Sequence, residues 1–82
     1  MIPHKMIDFK EIPIAACIMC VLLRVPNILI NDGADLVSFE FKDDDDIRQV
    51  ATNYAIGQQM VNAFEYEKAR SYLYRKAREV RR

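Results

Sequence analysis

Leu36-Val37-Ser38-Phe39-Glu40-Phe41-Lys42-Asp43-Asp44-Asp45-Asp46-Ile47 is the stretch that decides how this chain folds. Val37, Phe39 and Phe41 alternate with Ser38, Glu40 and Lys42, the period of a strand with one face on a core. At Asp43 the alternation stops. Asp is a good N-cap, and acidic side chains in a first turn complement the helix dipole, so the four aspartates predict a helix start. Ile47, Val50, Ala51 and Tyr54 then recur at helical spacing, and Gly57 is placed to close the helix as a C′ residue.

Upstream, Asn27–Asn31 reads as a second strand. Asp32-Gly33 between the two strands tolerates positive φ, so a β-hairpin with one face on the core is predicted. Before it lies an apolar helix from Pro13 to Leu23. Proline is accepted in a first turn, where no helical N–H is lost, and Pro26 ends the segment and pushes Val25 toward extended geometry. Lys5–Phe9 reads as a short strand with Met6 and Phe9 buried.

Downstream, Asn62 starts the last helix, with Glu65 three residues on in a capping-box pattern and Val61 and Tyr66 spaced for a hydrophobic staple. Tyr66, Ala69, Leu73, Ala77 and Val80 form one stripe; Lys68, Arg75, Arg78, Arg81 and Arg82 lie mostly off it. The expected fold is α+β, in the order β-α-β-β-α-α: a small antiparallel sheet of two or three strands with three helices on one face.

The chain has 82 residues, room for one core and one domain spanning 1–82. Twelve basic and twelve acidic side chains cancel, so there is no overall attraction to nucleic acid or to acidic membranes. The distribution is uneven: Asp32–Asp46 holds six Asp, one Glu and one Lys, and Lys68–Arg82 holds seven Lys/Arg and one Glu. The longest apolar run, Ile12–Leu23, is short of the roughly 20 residues of a membrane span. Charged Asp8-Phe9-Lys10-Glu11 before it and the want of an A-x-A site argue against a signal peptide. An unprocessed cytoplasmic protein is expected, and two cysteines close together in an apolar helix suit a reducing compartment.

Phe9 ahead of the Pro13 helix with Ala15-Ala16, the hairpin ending Phe39-Glu40-Phe41-Lys42-Asp43, and Asn53-Tyr54-Ala55-Ile56-Gly57 followed by Val61-Asn62-Ala63-Phe64-Glu65-Tyr66 together make a pattern. It resembles a family of short bacterial and phage domains of unknown function, over about residues 9–80. Arg24-Val25-Pro26 departs from it, standing where that pattern has a glycine helix stop. The resemblance implies the fold order and no activity.

Candidate chemistry is sparse. Cys17-Ile18-Met19-Cys20 has the C-x-x-C spacing, but Cys17 lies about a turn inside the helix rather than at its N-terminus, and one histidine, His4, leaves a zinc set incomplete. Two small hydrophobes in a core helix is the better reading. The run Asp43–Asp46 lacks the spaced ligands and loop glycine of a calcium loop. His4 has no nucleophile at readable spacing, and two glycines make a phosphate cradle a poor prospect. No catalytic set, metal or cofactor is expected.

Two surfaces remain. The first helix is apolar on nearly every face, so Ile18, Met19 and Leu22 are expected to stay exposed as an interface patch, most cheaply covered in a two-fold homodimer. The function expected first is a non-catalytic, self-associating interaction protein, of the kind a phage or mobile element directs at a host protein partner. The alternative is a small nucleic-acid-binding regulator, in which Arg70, Tyr74, Arg75, Arg78, Arg81 and Arg82 of the last helix neutralise phosphates and stack on bases.

Overall fold

A computed structural model describes residues 5–30 and 37–80. The elements are β1 (Met6–Phe9), α1 (Ile12–Leu22), β2 (Asn27–Ile30), β3 (Val37–Lys42), α2 (Asp45–Ala55) and α3 (Ala63–Val80). The order is the one expected, α+β with three helices and a three-stranded antiparallel sheet. The Asp32-Gly33 turn, His4, Arg81 and Arg82 lie outside the described residues.

Strand order is β1-β3-β2, so the strand with the cleanest alternation takes the centre. Phe39 faces Phe9 on one side and Ile28 on the other, and Phe41 faces Ile7. Side chains directly opposite share a face, so Ile7, Phe9, Ile28, Val37, Phe39 and Phe41 form one apolar surface. The rings of Phe9 and Phe41 meet edge to face, 6.1 Å between centroids. Met6, expected to be buried, pairs with Lys42 on the opposite face and is exposed; Ile7 takes the inward place.

On that apolar surface the helices complete one core of Ala15, Ala16, Cys17, Ile18, Ile47, Val50, Ala69, Leu73 and Ala77 with the strand residues. Ala15, Ala16, Ala69 and Ala77 keep side chains small where α1 and α3 meet, and α1 also packs on α2. Both α2 ends follow the expected chemistry. Asp44 is the N-cap, its Oδ1 accepting from the Ile47 N–H at 2.9 Å. Gly57, φ 74°, ends the helix in the left-handed region. Its N–H donates to Tyr54 O and the Gln58 N–H to Asn53 O, the two bonds of a Schellman motif.

Candidate interaction face at the α1–α3 edge

α1 ends differently. Pro26 downstream forbids continuation, and the chain turns at Leu23, which adopts φ 56°, ψ 40° while its N–H still donates to Met19 O at 2.8 Å. This is the conformation that glycine adopts freely, and a side chain there costs roughly 1–2 kcal/mol. Leu23 is the single non-glycine residue at positive φ among the described residues. Its side chain is 87% exposed. The turn behind it is held firmly: Pro26 is buried, and Arg24 Nη1 donates to Asp44 Oδ2 at 2.6 Å.

The start of α3 supplies the facing wall. Asn62 Oδ1 accepts from the Glu65 N–H at 3.0 Å, the cap expected from the sequence. Ala69, Leu73 and Ala77 face the core, which turns Phe64, at the opposite side of the helix, toward solvent at 69% exposure. Met60, just before the helix, is 85% exposed.

Between these ends runs a groove of about 220 Å³, lined by Met19, Cys20, Leu23, Ala69 and Tyr72, with Glu65 and Lys68 at its rim. A second, shallower hollow shares Lys68 and Tyr72 with it and extends past Phe64 to Ser71 and Arg75. Lys68 links the parts, its Nζ 3.8 Å from Glu65 Oε1 and 5.2 Å from the centre of the Phe64 ring. The result is one apolar surface with a groove at one side, a projecting ring at the other and a balanced ion pair between.

The residues expected to form an exposed patch on α1 are placed otherwise. Ile18 is fully buried at 0% exposure, because α1 is covered by both α2 and α3 at that turn. Met19 and Leu22 are half-buried, and of the three Met19 lines the groove. Leu23 and Phe64 escaped the sequence reading. For Phe64 a signal existed, since it stands directly opposite the Ala69–Leu73–Ala77 stripe. For Leu23 the only sign was the want of a glycine where the helix stops.

The basic candidates divide into two groups. Arg70 is paired with Glu67 at 3.4 Å and lies over the ring of Tyr74, 5.4 Å from its centre. Arg75 and Arg78 line a separate outward-facing hollow with Ser71 and Glu79. Neither makes an ion pair among the described residues, whereas Lys68, Arg70 and Lys76 all do. Arg75 and Lys76 flank Tyr72 at 5.9 and 5.6 Å.

Burial raises the Cys17 thiol to about 11, with the neighbouring Cys20 adding to it. Burial likewise raises Cys20, whose Sγ–H donates to Cys17 O. Both are protonated at neutral pH and so poor nucleophiles. Asp43 holds Arg48 through two bonds of 3.1 and 2.7 Å, and Asp44 serves Ile47 and Arg24. Among the described residues no three His, Cys, Asp or Glu side chains gather closely enough to hold a metal ion, and no helix is long and apolar enough to cross a membrane. Comparison with protein-family models, with curated proteins and with solved structures finds no match.

Proposed function

We propose that the chain is a non-catalytic interaction protein that self-associates, and that the face formed by the C-terminal end of α1 and the first half of α3 is its contact surface. One observation carries this reading: large apolar side chains at Leu23, Met60 and Phe64 project into solvent around a groove whose floor is also apolar. Exposed apolar surface of this kind, rimmed by charge, is the usual mark of a protein interface. A net charge of zero supports self-association, since two copies meet without overall repulsion. The free thiols of α1 support a reducing compartment, and the cytoplasm is the proposed location. Sedimentation velocity over a wide concentration range tests the reading. A monomer–dimer equilibrium is expected; a strict monomer at the highest concentration overturns it.

A second reading rests on Arg75 and Arg78, which face outward beside Ser71 without acidic partners among the described residues. Such cations neutralise phosphates, and tyrosines nearby stack on bases. The balancing carboxylates of Glu65, Glu67 and Glu79 on the same helix weigh against it. Titration with single-stranded and duplex oligonucleotides at two salt concentrations separates the readings. Binding that weakens steeply with salt favours this one; no binding at low salt removes it.

A further inference from the structure

Leu23 is unfavourable twice over. Its backbone sits where glycine belongs, and its side chain lies almost wholly in water. Nothing in the turn itself requires leucine: the bond from its N–H to Met19 O is a backbone bond that glycine makes equally well. A strained residue persists where its side chain has a use, and Leu23 builds one wall of the α1–α3 groove.

Resting on the self-association reading, we propose that the contact is a two-fold knob-and-hole dimer, in which Phe64 of each copy enters the groove walled by Leu23, Met19 and Tyr72 of the other. The size of the groove fits this. About 220 Å³ exceeds the roughly 150 Å³ known to admit a benzene-sized group, so one phenyl ring is accommodated. Knob and hole occupy the same face of one molecule, with Lys68 and Tyr72 between them. That arrangement is self-complementary, so it closes with two copies instead of propagating into a filament. The rim charges obey the same symmetry. Each copy offers one Glu65 and one Lys68, so a two-fold axis sets Glu65 against the partner's Lys68 twice, with no like charges opposed. Leu23 is pre-organised for the role by the Arg24–Asp44 bond and buried Pro26, so little order remains to be imposed on binding.

The experiment uses Leu23→Gly, Phe64→Ala and the wild-type chain, followed by sedimentation velocity alone and in mixture. Leu23→Gly is expected to raise the melting temperature of the dilute, monomeric chain while weakening self-association by about 30-fold or more, the loss typical of a hot-spot residue. Phe64→Ala is expected to weaken it to a similar extent without raising the melting temperature. Mixing is the decisive arm. Leu23→Gly keeps its knob and Phe64→Ala keeps its groove, so an equimolar mixture regains one of the two contacts and forms heterodimers at concentrations where each variant alone is monomeric. A wild-type dimer that both substitutions leave intact, or a mixture that forms no heterodimer, overturns the knob-and-hole geometry and leaves self-association standing. A wild-type chain that is monomeric throughout overturns both.

Discussion

Asp44 joins two parts of the molecule with one carboxylate. Its Oδ1 caps α2 through the Ile47 N–H, and its Oδ2 takes Arg24 from the turn after α1. Replacing it with alanine removes both, and a loss of about 1–2 kcal/mol is expected in urea unfolding. Asp44→Asn keeps a capping oxygen and is expected to lose less. The Ile47 N–H, then Arg24, hold the Asp44 carboxyl below its ordinary range, and Arg48 does the same for Asp43. Because both pKa values are depressed by folding, their stabilisation is complete above the unfolded value of about 3.9 and is lost as pH falls through the lower folded values. A falling urea midpoint in that acid range is expected, with a shallower fall in Asp44→Asn; equal slopes in the two proteins count against the assignment. At Cys17 and Cys20 the raised thiols predict slow alkylation at neutral pH in the native state and fast alkylation once the chain is unfolded.

At the scale of elements, β3 and α3 differ most in what they could tell in advance. The Val37–Phe41 alternation and the Asp44 cap were legible because each is local: a period of two and a side chain reaching three residues on. The place of β3 between β1 and β2 was not legible, because antiparallel pairing is equally possible in several orders until a helix crosses from one strand to the next. The central position predicts that amide exchange is slowest in β3, whose both edges are paired, and faster in β1 and β2, each paired on one edge; uniform protection across the sheet speaks against that order. In α3 the core stripe was read correctly, and Leu73 at its centre is fully buried. Leu73→Ala is expected to cost about 2–5 kcal/mol, while Arg75→Ala, on the solvent face, is expected to change stability by less than about 0.5 kcal/mol.

For the whole molecule, the uneven distribution of charge is partly cancelled by folding. Arg24 and Arg48 meet the aspartates at the head of α2, and Lys68, Arg70 and Lys76 meet glutamates on α3. What remains is a neutral molecule with an apolar edge, so its self-association is expected to depend weakly on salt. A dimer that dissociates as steeply with salt as a protein–phosphate complex would point to a charge-driven contact instead.

The order of elements, their caps and the membership of the α2, α3 and β3 core faces were determined by the sequence alone, since periodicity and capping act within a few residues along the chain. Which apolar residues of α1 end inside or outside was decided by the tertiary structure. A helix apolar all round carries no mark of its solvent side; only the packing of α2 and α3 around it buried Ile18, and only the turn forced by Pro26 left Leu23 in the open.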